Sequence, residues 1–405
     1  MANAFITRHA IVAAALLGLL ALSLPAAAAD KPAKKPSATK KAKVDKPKAE
    51  KPKSEEPKPD EPKAEAEAEA PSIIPADVTP AKATLRWKFK EGDERRYLMN
   101  QKMSMAMKVM GQNVETNTVQ TMLVTWKVLE VDEDGGCKME QKFESVRMKM
   151  AGPGIAGEYD SAKGTKFTGL MKSLNPLFDA MTAGEFKLTM TAQGKITEME
   201  MPEDLKKALK TAPGGGGGVL SEDGLKQMVT QGSPTLPEEE MASGDDWTET
   251  IEIQAPPVGA MKMVTQYAYL GAIQRDGRQL EVISVNPRMQ FDGKGQFTPE
   301  ITAQKCEGAL YFDNEQGYLV ETLIQQKTEM KMSIAGNDIN QLLNQTISMR
   351  QLAEGEEPPA DPADKDAAAD KPKDADGDQP PEEDDAKEGD EDEDKSEDDD
   401  EDDDE

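Results

Sequence analysis

From Met99 to Val109 nearly every second residue is apolar. Met99, Met103, Met105, Met107 and Val109 fall on one side of an extended chain, interrupted by Gln101, while Lys102, Ser104, Ala106 and Lys108 fall on the other. A period of two belongs to a strand with one face buried and the other wetted. Ahead of it, Leu85, Trp87 and Phe89 alternate with Arg86, Lys88 and Lys90 and predict a first strand ending at Gly92-Asp93. After Gly111-Gln112-Asn113 comes the β-branched run Val114 to Val131. The turn Asp132 to Gly136 follows, and alternation resumes from Cys137 to Met150. Long strands joined by tight Gly, Asp and Asn turns predict an antiparallel meander.

A helical interlude follows. Residues 168–182 carry Leu170, Met171, Leu174, Leu177, Phe178 and Met181 at roughly helical spacing, broken by Pro176. Phe186 to Met201 reads as a hairpin turning at Gln193-Gly194. Pro202 then opens a helix over 203–212 with acids in its first turn, and Ser221 caps another over 221–231. Trp247 restarts the strand pattern. Val124-Thr125, Asp134-Gly135 and Arg147 to Met150 are echoed by Val264-Thr265, Asp276-Gly277 and Arg288 to Phe291. Tyr159-Asp160 with Gly164 is echoed by Phe312-Asp313 with Gly317. A duplication of 84–200 in 247–350 and two meanders sharing turn chemistry both account for these echoes. About a dozen strands are too many for one flat open sheet. The expected class is therefore mainly β (α+β): a large curved antiparallel sheet or half-barrel from two six-strand meanders, with a few short helices between them.

The chain ends divide from this core by composition. Arg8 and His9, an apolar stretch from Ala10 to Leu24 and small residues from Pro25 to Ala29 have the order of a secretory leader cut after Ala29. An exported protein, periplasmic or extracellular, is expected, with no transmembrane segment in its mature form. Residues 30–80 are Lys-Pro steps followed by Glu-Ala repeats, a spacer predicted to be disordered. A single β-rich domain is expected over 81–352. Residues 353–405 form an acidic tail with 29 acids against five lysines, so nearly all of the net charge of −28 is local to it. Such a tail is predicted to be disordered and to bind Ca²⁺ weakly at most.

Histidine occurs once, at position 9 inside the leader. The mature chain therefore has no Ser-His-Asp or Cys-His catalysis and no histidine metal site. No Walker loop or dinucleotide fingerprint is present, and no basic, aromatic-interleaved surface points to nucleic acid. No cofactor, metal site or catalytic residue is assigned. Carboxylate chemistry survives the elimination, as in a glycoside hydrolase, with Asp160, Asp245, Asp246 and Asp313 as turn acids. The same residues suit ordinary turns. Cys137 and Cys306 form one possible disulfide, and two buried thiols are equally consistent with the sequence.

The remaining signal is methionine, 23 in all, recurring as M-x-M: Met103, Met105 and Met107; Met148 and Met150; Met199 and Met201; Met261 and Met263; Met330 and Met332. Flexible thioethers fill irregular cores, line adaptable apolar grooves or bind Cu(I). Met103, Met105, Met107, Met148, Met150, Met261, Met263, Met330 and Met332 are the groove candidates. Three functions stay open: a non-enzymatic envelope protein holding an apolar ligand or protein segment in a methionine-lined groove, a scaffold acting through its charged tails, and a carboxylate-dependent hydrolase.

The run Leu85 to Tyr97 (LRWKFKEGDERRY), together with Glu158 to Ser161, Gly184 to Phe186 and Thr191 to Gly194, resembles a family of secreted, uncharacterised bacterial proteins of planctomycete type over residues 84–350. That family is a domain of unknown function, so the resemblance implies no catalytic residue. The expected architecture is similar to periplasmic lipoprotein-carrier half-barrels, a likeness of fold alone.

Overall fold

The computed structural model describes residues 72–109, 112–212, 222, 225, 235–255, 259–295, 299–334 and 337–358. The expected leader, most of the spacer, most of the helix at 221–231 and the tail beyond 358 lie outside the described residues.

The protein is mainly β and is organised on one twelve-stranded antiparallel curved sheet. Its first six strands are β2 (Glu94–Val109), β3 (Gln112–Val131), β4 (Cys137–Ala151), β5 (Gly157–Asp160), β6 (Glu185–Met190) and β7 (Ile196–Glu200). The other six are β9 (Asp246–Ala255), β10 (Gly259–Arg275), β11 (Arg278–Phe291), β12 (Glu300–Asp313), β13 (Tyr318–Ile334) and β14 (Asn337–Gln351). The order across the sheet is β7-β6-β4-β3-β2-β14-β13-β12-β11-β10-β9, with β5 paired to β4. Each six-strand set is a meander, as expected, and the two join where the last strand pairs with the first. There β14 runs antiparallel to β2 from Tyr97↔Gln351 to Lys108↔Asn340. The two turns that echo one another in sequence, at Asp132 to Gly136 and at Asp276-Gly277, both close long hairpins, β3–β4 and β10–β11.

The helices expected between the meanders divide: a 3-10 turn and one short helix lie inside the first meander, between β5 and β6, and a second short helix lies between β7 and β9. The 3-10 turn (Gly169–Leu174) leads into α1 (Asn175–Ala183), and α2 (Glu203–Thr211) follows β7. Pro176 does not break the first helix but opens it, because a helix's first turn needs no donor from that nitrogen. Leu177, Phe178, Leu205 and Leu209 are buried in the same core cluster as Phe143, Val146 and Met148 of β4. The helices thus cover one face of the sheet.

The alternating segment at 84–90 is the main departure from expectation. It is extended and buries Leu85 and Trp87, yet it adds no strand to the sheet. Its backbone bonds instead go to the ends of both meanders. Trp87 N–H donates to Ala192 O (2.9 Å) in the β6–β7 turn, and Lys88 N–H donates to Gly317 O (3.0 Å) in the β12–β13 turn. Asn314 accepts from Arg86 N–H (3.2 Å) and donates to Thr84 O (3.1 Å). A period of two reports which side chains are buried, and an extended strap satisfies it as well as a ladder strand.

Upstream the strap pairs as β1 (Lys82–Ala83) with β8 (Met241–Ala242), and Thr79 exchanges two backbone bonds with Ala272 of β10. Further back still, Val78 packs on a second cluster of Ile273, Leu280, Val282, Ala309 and Tyr311. Val282 and Tyr311 each sit next in sequence to Ile283 and Phe312 of the main core, so the second cluster lies on the opposite face. The strap therefore starts on one face, passes the β10 edge where β9 ends, and finishes on the other.

Candidate ligand-binding face

Side chains directly opposite one another in a ladder project from the same face, so the registers show what each face carries. One row crosses eight strands: Val146, Met122, Met99, Met349, Thr322, Leu310, Ile283 and Tyr269. Moving along the strands, the next rows on that face are Met148–Gln120–Gln101–Ile347–Ile324, then Met150–Thr118–Met103–Gln345–Gln326–Cys306. Beyond these come Thr116–Met105–Leu343–Thr328–Gln304 and Val114–Met107–Gln341–Met330–Ile301. Met263 pairs with Met289 and Met261 with Phe291, two and three residue pairs' alternation from Val285 on the same side.

All nine candidate methionines, from four different strands, thus share one face of one sheet. Met103, Met105, Met148, Met150, Met261 and Met330 are buried, none more than 4% exposed. Met107, Met263 and Met332 are half-buried. Those three lie toward the far ends of their strands with Val114, Met289, Phe291 and Ile339, also half-buried. The face therefore passes from closed interior to an apolar rim. The fourth pair in the motif, Met199 and Met201, divides: Met199 pairs with Leu188 in the sheet and Met201 precedes α2.

The polar residues between the methionines are uncharged. Gln101, Gln120, Thr116, Thr118, Thr328 and Gln341 are all buried. The reverse of the same strands carries exposed Lys102, Lys108, Lys149, Lys262, Arg288 and Lys331. Two acids intrude on the inner face at its β9–β11 side, and both are engaged. Glu249 accepts from Thr235 N–H (2.6 Å), and Glu281 accepts from the Tyr269 hydroxyl and from Gln279 Nε2 (2.9 Å). Burial, and then the Glu281 carboxylate, hold the Tyr269 hydroxyl well above its ordinary range.

Within this face some buried polar atoms are satisfied and others are not. Gln341 Nε2 contacts Met105 Sδ at 2.9 Å and Gln120 Nε2 contacts Met122 Sδ at 3.1 Å. Among the described residues, neither end of the Gln101 carboxamide has a partner, nor do Gln120 Oε1, Thr116 Oγ1 and Thr118 Oγ1. Near the strap, Trp87, Phe89, Trp126 and Tyr318 line a small cleft of about 20 Å³, room for one water and no more.

The other sequence candidates serve the fold. Asp160 accepts from Arg147 Nε (2.7 Å) and from the N–H groups of Ala162 and Lys163 (3.0 and 3.1 Å). Asp313 caps its own turn through Gln316 N–H (2.8 Å) and faces Arg278 at 3.6 Å. Asp245 accepts from Ala242 N–H at 2.7 Å, and Asp246 lies 3.5 Å from Gln266 Nε2. Strands β3, β2, β14 and β13 separate β4, to which β5 and Asp160 are paired, from β12, which ends at Asp313. The possible disulfide is not made: Cys137 and Cys306 are free thiols on β4 and β12, with the same four strands between theirs. Burial pushes both thiols up to about 12, so neither is a ready nucleophile.

Sequence reasoning found the methionines but not the glutamines and threonines between them. Gln101 appeared as an interruption of an apolar pattern, when it marks the polar part of the same face. A polar residue at an inward position of an otherwise apolar alternation was the available signal.

No protein-family model and no curated protein sequence matches the chain, so no family stands behind the resemblance carried by Leu85 to Tyr97, Glu158 to Ser161, Gly184 to Phe186 and Thr191 to Gly194. Solved structures give loose matches. Lipovitellin, from a structure titled for its lipid–protein interactions, aligns over 66% of this chain and 26% of its own, at 9% identity and a TM-score of 0.38. A protein of YmcC-like fold from Bacteroides fragilis aligns over 67% and 100%, at 9% identity and 0.24. A domain named for outer-membrane lipoprotein sorting, from Vibrio parahaemolyticus, aligns over 67% and 90%, at 13% identity and 0.11.

Proposed function

We propose that this is a non-enzymatic binding protein of the cell envelope that holds an apolar ligand or protein segment against the methionine-lined face of its sheet. One observation carries the reading: nine methionines from β2, β4, β10 and β13 converge on a single face and reach an apolar rim at Met107, Met263 and Met332. Thioether side chains have three rotatable bonds and soft electron clouds, so a wall built from them reshapes at low cost around an incoming chain. A core that needed only to be filled would be better specified by leucine, isoleucine and valine. Placement in the envelope rests on the leader-like first 29 residues.

Native mass spectrometry of the protein purified from its own host tests this. Adducts that organic extraction removes and identifies as lipid or peptide are the expected result. A clean apo mass, with no enhancement of a hydrophobic dye on titration, would remove the proposal.

A further inference from the structure

Gln101 and Gln120 face each other across the β2–β3 ladder, 3% and 1% exposed, on the face that the methionines line. Among the described residues, Gln101 Nε2 and Oε1 are unpartnered and so is Gln120 Oε1, with Thr118 and Thr116 adding two unpartnered hydroxyls one and two rows further out. A buried polar atom left unpaired has given up its hydrogen bonds to water with nothing in return. Five such atoms in one patch of a single ladder are a standing cost that leucine or valine at these positions would not incur. The patch also has apolar pairs on both sides along the strands, Met99 with Met122 inward and Met107 with Val114 outward. It is a polar island inside an apolar surface, and its inner end at Gln101 lies about 20 Å from Met107 along the strand.

We infer that this island recognises the head group of the bound molecule, and that the head group is uncharged and offers both a hydrogen-bond donor and an acceptor. The inference rests on the binding role proposed above and specifies the ligand class: an acyl chain ending in a carboxamide or comparable neutral group. The Gln101 carboxamide supplies one donor edge and one acceptor edge, the complement of another amide. The Thr116 and Thr118 hydroxyls can donate or accept. No charged side chain lies in the rows from Met148 to Met107 across β4, β3, β2 and β14. A carboxylate, phosphate or ammonium placed there would be desolvated without a counter-charge, which is far costlier than burying a neutral amide. The acyl chain then runs outward over Met105 and Met107 to the rim.

Four probes sharing an eighteen-carbon chain test this by displacement of a bound hydrophobic dye from the full mature chain: oleamide, octadecene, oleyl sulfate and oleyltrimethylammonium. Oleamide is expected to displace dye at concentrations about tenfold lower than each of the other three, the return on one or two well-made buried hydrogen bonds. The double variant Gln101→Leu with Gln120→Leu should lose the preference of oleamide over octadecene while its melting temperature holds or rises. Equal displacement by all four probes would overturn the head-group inference and leave apolar binding standing. No displacement by any probe would remove both. A variant with lowered melting temperature and unchanged preference would show that the glutamines act in folding alone, and would also overturn it. If the variant fails to fold, the four-probe series on the unaltered protein decides.

Discussion

The carbonyl oxygen of Thr79 stands only 2.3 Å from where a Cβ on Gly271 would be, and Gly271 itself has φ +127°. That close approach is how the strap passes the edge of β10. The β10 ladder shifts register at this point, between Tyr269 and Gly271, and Ala272 then exchanges both of its backbone bonds with Thr79. Gly271→Ala therefore meets strain in the backbone and a clash with another backbone atom at once. The expected cost is about 2–4 kcal/mol, read as a fall in melting temperature together with faster proteolysis between residues 72 and 92. A melting temperature within one degree of the unaltered protein would show that the strap is not held there.

The strap also sets the limits of the folding unit. Val78 covers the second apolar cluster, Tyr311 donates to Ile73 O, and Ser72 bonds Glu307. At the other end Glu356 meets Arg350 at 2.7 Å and its carbonyl accepts from Arg96. A chain spanning 72–358 should be more stable than one spanning 80–352, by about 2–4 kcal/mol for the uncovered apolar surface and lost bonds. Parallel urea titrations measure it, and equal midpoints would place the structural boundary at 80 and 352.

Each meander needs the other. Both β2 and β14 lose a full ladder if the chain is divided, and Trp87 packs on Trp126 of the first meander and edge-on to Phe312 of the second. Expressed separately, 80–235 and 236–352 should show no cooperative thermal transition. Two sharp transitions would mean that the long sheet is two domains placed side by side.

Asp160 gives the pH dependence. Burial acts to raise its pKa, but the N–H of Lys163 and the Arg147 guanidinium outweigh that and hold it below the ordinary carboxylate range. A carboxyl depressed in the folded state stabilises fully above its unfolded pKa of about 3.9 and loses that contribution as pH falls through its folded value. Asp160→Asn should thus destabilise the protein by about 2–3 kcal/mol at pH 7, since it leaves Arg147 without its charged partner. The gap should narrow as pH falls below about 4, where the unfolded carboxyl takes up a proton that the folded one still resists. A constant gap between pH 7 and pH 3 would assign the loss to turn geometry alone.

Much of this fold was legible along the chain. Alternation fixed the period, Gly and Asp placed the turns, and the count of strands demanded curvature, because each is a local property of neighbouring residues. Methionine at every second position likewise announced a shared face within each strand. What the chain could not announce is which strands are neighbours. That Met103 stands beside Gln345, more than two hundred residues away, follows from the β14–β2 ladder alone. The same holds for Leu85 to Lys90, whose alternation is that of a strand but whose partners are turns 192 and 317 rather than a ladder. By itself the sequence determined the elements and their buried sides; tertiary pairing decided that the methionines of four strands form one surface and that Gln101 lies inside it. Burial patterns are set residue by residue, whereas a face is assembled only by closing loops of long sequence separation, which no local pattern records.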